Sequence, residues 1–258
     1  MTVFSDIEKN IYSIISRHDG IKASRIASDL HVERKEVNRC LYLSALMREL
    51  CYCDKEHYWY ALIADRRPYS ALWDFCAFYG AVSEFSACSE AEFMERMLDG
   101  CAKIGRSLDD HRGLFHSFRD CRSTLIQLFE DIAFLTDGRV DTAKWEIAFE
   151  MRFNRAKYIR VYADTVLITD RTVFVFEFKM KKVIEEEEAN QACKYVPYLE
   201  IIFGSRMRVV PVLVLTAAKE LFCTYTACDG NGQRRQLTVC SGDMLFNALD
   251  REMRFLLQ

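Results

Sequence analysis

Residues 161–182 read VYADTVLITDRTVFVFEFKMKK. Two runs rich in Val, Leu, Ile and Phe flank the polar break TDRT, the pattern of two strands joined by a tight turn. Yet Asp164, Glu177 and Lys179 stand inside those apolar runs. Buried charge is costly unless it is paired or binds a metal, so any fold of this chain must accommodate these three groups. A turn centred between Asp170 and Arg171 sets Asp164 across from Glu177, with Cβ atoms about 4.5–5.5 Å apart. Alternation along the strand puts Lys179 on the face of Glu177 and turns Phe176 and Phe178 away. Two carboxylates and an ammonium therefore converge. Adjacent carboxylates repel unless a cation lies between them, and a hard ion such as Mg2+ takes oxygen ligands. With a lysine beside it to orient or deprotonate water, the set suits phosphodiester hydrolysis.

The next segment, IEEEEANQACKYVPYLEIIFG, reads as a helix, and Gln191 and Tyr195 stand one turn apart on one face of it. The run Glu185 to Glu188 reads as its solvated first turn, where acidic side chains favour the helix dipole. RMRVVPVLVLT then reads as a buried strand. The paired Asp164 and Glu-x-Lys at 177–179, followed by Q-x-x-x-Y, resemble the PD-(D/E)XK nuclease superfamily of the RecB type. The resemblance implies a restriction-endonuclease-like core and metal-dependent cleavage with Mg2+ or Mn2+. Asp164 and Glu177 would hold the metal, Lys179 would assist the attacking water, and Gln191 and Tyr195 would place the substrate backbone. It also implies a further acid before the first core strand. Glu130, in LIQLFEDIAFL, is the leading candidate, with Glu146 and Glu150 of WEIAFEMRF as rivals.

Residues 5–63 divide into three helical segments and a short hairpin. Ile7, Ile11, Ile14 and Ile15 recur at helical spacing, with Ser5 as cap. KASRIASDLHV makes a second helix, and ERKEVNRCLYLSALMREL a third with the inner stripe Val37, Leu41, Ala45 and Leu46. CYCDKEHYWYALI closes the unit as two strands around a polar turn, which together describe a winged helix-turn-helix. On the outer face of the third helix stand Lys35, Asn38 and Tyr42, flanked by Arg34 and Arg39. Cations take phosphate, and an amide or phenol takes backbone or base edges. RKEVNRCLY with the wing Trp59 resembles the Zα family of winged helices, which bind left-handed nucleic acid. That resemblance implies contacts through Lys35, Asn38, Arg39, Tyr42 and Trp59, with the flanking Arg34 as a further candidate contact. Where that family has a Pro-Pro pair before its wing Trp, this chain has Glu56-His57-Tyr58.

Between these parts, YSALWDFCAFYGAV, SEAEFMERMLDGCAKI and HRGLFHSFRDCRSTLIQLFEDIAFL carry apolar residues at helical intervals. They read as a helical connector or as the helical edge of the next domain. The chain ends in a hairpin, LFCTYTACDGNGQRRQLTVC, and a helix with the stripe Leu245, Leu249, Met253 and Leu256. The expected organisation is thus an α/β protein with a winged helix at 1–64, a helical connector at 65–119 and a nuclease-like core with a mixed central sheet at 120–258.

Composition narrows the function classes. Half of the 258 residues are hydrophobic, with only 10 Gly and 3 Pro, so a folded chain with little linker is expected. No apolar run is long enough to span a bilayer, and the N-terminus lacks a signal-peptide pattern. Eleven scattered cysteines without paired C-x-x-C spacing read as reduced core thiols of an intracellular protein. A net charge of −3 argues against a broad basic face, so nucleic-acid contact must come from a local patch or through a metal ion. DNA is favoured over RNA as partner, and the superfamily resemblance also implies a homodimer. The competing expectation is a non-catalytic adaptor that keeps both folds and binds nucleic acid or protein.

Overall fold

The computed structural model describes residues 6–18, 20–61, 75–106, 111–153, 162–204 and 207–255. It is an α/β protein with a mixed seven-stranded sheet and a small antiparallel three-stranded sheet. Ser5 and Leu256 lie outside the described residues.

The amino-terminal unit comprises α1 (Asp6–Ile15), β1 (Ile21–Lys22), α2 (Ala23–Leu30), α3 (Arg34–Leu43), α4 (Ala45–Leu50), β2 (Cys51–Cys53) and β3 (Tyr58–Ala61). Ile11, Ile15, Ile26, Val37, Leu41 and Trp59 fill its core, so the isoleucine stripe and the inner face of α3 lie where their spacing puts them. The third helical segment differs from expectation. It breaks at Ser44, whose backbone is extended and whose hydroxyl accepts the Met47 N–H at 3.3 Å. A serine hydroxyl satisfies a helix start better than a helix interior, so the segment becomes α3 and α4. β1 was not legible as a strand: its two residues pair with Tyr58 and Trp59 of β3.

The larger unit comprises β4 (Phe78–Ala81), α5 (Val82–Ala87), α6 (Glu90–Ile104), α7 (His111–Leu135), β5 (Glu146–Arg152), β6 (Tyr162–Ile168) and β7 (Thr172–Lys179), then α8 (Glu186–Lys194), α9 (Val196–Phe203), β8 (Arg208–Leu215), β9 (Phe222–Cys228), β10 (Arg234–Ser241) and α10 (Leu245–Met253). The strand order is β4-β5-β6-β7-β8-β10-β9. β4 to β7 form an antiparallel meander, β8 runs parallel to both β7 and β10, and β9 closes the edge antiparallel to β10. Helices α8 and α9 make the crossover from β7 to β8, as parallel strands require. They form two helices rather than the single expected one, because Pro197, lacking an N–H, restarts the helix after Tyr195.

Both faces of the sheet are covered. Phe149, Phe174 and Phe176 pack with Phe85 of α5, Phe93 of α6, Leu125 of α7 and Leu249 of α10. On the other face Val166, Val173 and Val175 meet Tyr195 and Leu199, and α8 lays Ala189, Ala192 and Cys193 on Leu213, Leu215 and Val239. Ile201 and Tyr198 of α9 also join the amino-terminal core, so the two units share a hydrophobic contact.

The expected connector at 65–119 needs correction in its described part. Residues 78–81 are not helical but form β4, paired from Phe78↔Phe149 to Ala81↔Glu146. Phe78 and Tyr79 favour a strand and Gly80 disfavours a helix. Helices α6 and α7 pack on the sheet face, so this stretch is part of the α/β unit. Among the described residues the cysteines are free thiols, most of them buried.

Gly100 of α6 passes tightly against the backbone leading into β4: a Cβ there would stand 1.8 Å from the Ala77 carbonyl oxygen. Gly to Ala inside a helix ordinarily stabilises by about 1 kcal/mol. Here Gly100→Ala is expected to destabilise by about 2 kcal/mol or more, because backbone must move. Urea denaturation checks this, and a stabilised variant would refute the packing.

Candidate active site

Three acids lie in one row across adjacent strands. On β5 and β6, Phe149 pairs with Thr165 and Met151 with Ala163, which brackets Glu150 opposite Asp164. On β6 and β7 the ladder runs from Ile168↔Val173 to Thr165↔Phe176, the register implied by the TDRT turn. Asp164 and Glu177 come next, and there the backbone pairing ends. Asp164 Oδ2 accepts the Phe178 N–H at 3.0 Å instead, so the carboxylate replaces a ladder bond where the strands part.

The backbone is distorted at the row. Glu150 has φ +50°, uncommon for a residue with a side chain. The facing pattern of β5 reverses there: Ile147 and Phe149 join the core beneath α5 to α7, and Met151 and Phe153 the opposite core. β6 reverses at the same level, with Leu167 and Val166 alternating one way and Tyr162 and Ala163 the other.

Each acid has a cation or amide close by. Lys179 Nζ stands 2.7 Å from Glu177 Oε1, and Glu177 is fully buried. Its Oε2 is buried without a well-formed hydrogen bond, although the Asp164 carboxylate and the Tyr195 hydroxyl are near enough to interact with the group. Arg106, just beyond the end of α6, places Nε 2.9 Å from Glu150 Oε2 and its guanidinium over the Tyr162 ring. Burial, and next the Asp164 charge, push both Glu150 and Glu177 up to about 8, against the pull of Arg106 and Lys179. Burial also raises Asp164, opposed by Lys179 and the Phe178 amide. Burial pulls the Lys179 ammonium down, but Glu177 and Asp164 outweigh it and hold it above its ordinary value.

Helix α8 backs the row. Gln191 Nε2 donates to the Tyr195 hydroxyl at 3.3 Å, so a chain of polar contacts runs Gln191, Tyr195, Glu177, Lys179. Burial, then the Glu177 charge, raise Tyr195, which keeps its phenol protonated and a donor.

Of the candidate acids, Glu130 is not brought to this row. It is exposed on α7 and lines a separate cleft of about 330 Å³ with Ser83, Ile126 and Thr142. Cys121 of α7 is close enough to Asp164 and Glu150 to feel their charges, and Glu130 lies nine residues further along, roughly 13 Å of helix. Glu146 sits at the other end of β5, beside Tyr79. The rival Glu150 is the acid that joins the row. Sequence reasoning missed Glu188, which is not solvated but buried, with Oε1 2.7 Å from Lys181 Nζ. Its signal was spacing: Glu188, Gln191 and Tyr195 stand at i, i+3 and i+7, on one helical face.

In the amino-terminal unit, Arg34, Lys35, Arg39 and Tyr42 are exposed and Asn38 is half-buried. Tyr42 rests edge-on against buried Trp59, with ring centroids 5.0 Å apart.

Comparison with protein-family models, with characterised proteins and with solved structures gives no match. No helix among the described residues is long and apolar enough to cross a membrane.

Among the described residues, no three His, Cys, Asp or Glu side chains stand ready to ligate one metal ion. The donor chemistry of the row nonetheless fits a hard divalent cation. The donors are carboxylate oxygens, two of them, Glu150 Oε2 and Glu177 Oε2, buried without a well-formed hydrogen bond, and burial with the Asp164 charge raises both of these carboxyls.

The raised carboxyls make metal-free stability pH-dependent. With folded values near 8 for Glu150 and Glu177, the folded state binds more protons than the unfolded one between about pH 4.3 and 8. Their contribution is complete below that window and is lost as pH rises through it. Melting in EDTA should show Tm falling by at least ~3 °C from pH 5.5 to 8.5, with a shallower slope in Glu150→Gln. A flat profile in the wild type would refute the burial of these acids.

Proposed function

We propose that this chain is a metal-dependent nuclease that hydrolyses phosphodiester bonds, DNA before RNA, and that a winged helix at its amino terminus positions the nucleic acid. The observation that carries the proposal is the convergence of Glu150, Asp164, Glu177 and Lys179 where β6 and β7 part, with Gln191 and Tyr195 bonded behind them. It supports a restriction-endonuclease-like arrangement of the larger unit.

Asp164 and Glu177, with Glu150 beside them, would hold Mg2+ or Mn2+, which supplies charge neutralisation at a phosphate and a more acidic bound water. The protein's own groups do the positioning. The Tyr195 hydroxyl fixes the orientation of the Glu177 carboxyl, and Gln191 fixes the hydroxyl. Lys179 Nζ, charged beside Glu177, can bond a phosphate oxygen or the attacking water and offset charge building there. Arg106 offsets the charge of Glu150 and holds it at the row.

The exposed face of α3 is the positioning surface. Arg34, Lys35 and Arg39 supply charge for phosphates, and Tyr42 stands on Trp59 as a fixed aromatic. Action as a homodimer inside the cell, so that both strands of a duplex are cut, completes this reading.

One observation favours the second reading, a catalytically inactive adaptor. Lys179 and Arg106 already occupy Glu177 and Glu150, and among the described residues no metal-ready group is formed.

Cleavage assays separate the two. Labelled single-stranded DNA, duplex DNA and RNA are incubated with Mn2+ and full-length protein. Wild type should cleave at least one substrate, and Glu177→Ala and Lys179→Ala should each lose about 100-fold or more in rate. Equal cleavage by wild type and variants, or none by any, would count against the enzyme. Duplex binding in EDTA should weaken about tenfold in Tyr42→Ala, read as Kd by fluorescence anisotropy, while an unchanged Kd would remove α3 from the interface.

A further inference from the structure

The outer face of the small sheet carries aromatic rings that its core does not use. β3 alternates, with Trp59 turned into the core and Tyr58 and Tyr60 turned out. Tyr52 of β2 lies directly across from Tyr60, and the two rings stack at 5.1 Å. Lys22 of β1 lies across from Tyr58 and holds its Nζ 4.7 Å from the centre of that ring. Tyr52 is 48% exposed and Tyr58 37%.

The rings are held in place. The Tyr60 hydroxyl donates to Asp54 Oδ2 at 3.0 Å. Gly20, at φ +93°, passes so close that a side chain there would stand 2.8 Å from the Tyr60 ring. Tyr60 is therefore a fixed base on which Tyr52 lies, with the outer face of Tyr52 open. Asp54 spends its carboxylate within the turn, accepting the N–H groups of Glu56 and Tyr58 as well as the Tyr60 hydroxyl. Of the turn's other charges, Glu56 and Lys55 are both exposed.

We propose that this face is a stacking platform for unpaired bases of a single-stranded nucleic acid, a contact surface separate from α3. The proposal rests on the reading of the amino-terminal unit as a nucleic-acid binder and names the form of substrate it takes. Charge and shape select the occupant. A duplex hides its base faces, so flat exposed rings offer it little. A single strand presents one π-face and one phosphate per nucleotide, which matches a sheet face with the open Tyr52 ring on one edge strand and the exposed Lys22 ammonium on the other. An apolar protein segment would have to bury the Lys22 charge and the phenol hydroxyls. Tyr42 of α3 touches Trp59 from the core side of the same sheet, so α3 and the platform lie on opposite sides of it.

The test uses the full chain in EDTA, so that nothing is cut. Anisotropy gives Kd for labelled single-stranded oligothymidylate and for a labelled duplex. The variants are Tyr52→Ala/Tyr58→Ala, Tyr52→Phe/Tyr58→Phe and the α3 pair Lys35→Ala/Asn38→Ala, each checked for an unchanged melting transition. The alanine pair should weaken single-strand binding about tenfold or more and leave duplex binding within about twofold, well short of the tenfold that 1.4 kcal/mol represents. The phenylalanine pair should retain single-strand binding. Wild-type affinity for the single strand in the alanine pair, or no single-strand binding by the wild type, would overturn the platform. Loss of duplex binding in the α3 pair reports separately on α3. If no variant changes duplex binding but the tyrosine pair loses the single strand, the α3 reading fails and the platform stands.

Discussion

Holding three carboxylates together, Glu150 and Glu177 buried and Asp164 half-buried, beside two cations among the described residues is the constraint around which this chain is built. A sheet with both faces covered is a poor solvent for charge. Glu150, Asp164 and Glu177 nonetheless sit where three of its strands meet, opposed by Arg106 and Lys179. The mismatch shows in the raised carboxyls of Glu150 and Glu177 and is eased by the Phe178 amide and the Tyr195 hydroxyl. An inert core would have replaced the row with apolar side chains at little cost, since buried ion pairs seldom stabilise more than hydrophobic residues of similar volume. The left-handed backbone at Glu150 adds to the expense. Strain of that kind persists where the surroundings overdetermine it, and it concentrates at functional sites.

The rest of the fold makes the row tenable. Phenylalanines on one face and valines on the other bind β5, β6 and β7 to their helices so firmly that the strands can part locally at Asp164. The crossover through α8 and α9 delivers Gln191 and Tyr195 to the back of the row. The same crossover ends in the surface that holds the amino-terminal unit, through Tyr198 and Ile201. At the far end of α9, Arg235 bonds Glu200 with both guanidinium amines and the buried Asp229 with Nε, which pins the β9–β10 hairpin to that helix. One short helix pair thus links the site, the sheet edge and the candidate nucleic-acid surface.

Much of this was legible in the residues. The TDRT turn sets the β6–β7 register because turn chemistry and strand alternation leave little freedom. The Gln191–Tyr195 contact follows from one turn of helix. The isoleucines of α1 and the Val37–Leu41 stripe marked their own buried faces. What could not be read has physical reasons. β1 and β4 are too short to show a period, and each becomes a strand only when β3 or β5 is there to pair with it. Glu150 was ambiguous because nothing local announces a left-handed glutamate; the distortion belongs to the meeting of three strands. Glu188 hid within a run of four glutamates, where composition suggested solvent and only its phase with Gln191 and Tyr195 separated it from its neighbours.

The central claim is that the acid row accepts a divalent cation in exchange for its protons. Calorimetric titration of Mn2+ into the full chain at pH 7, repeated in buffers of different ionisation enthalpy, measures both quantities together. The account predicts saturable uptake accompanied by proton release, abolished in Asp164→Asn/Glu177→Gln. No Mn2+ uptake by the wild type, or equal uptake by the double variant, would contradict it and leave the row as a closed set of ion pairs.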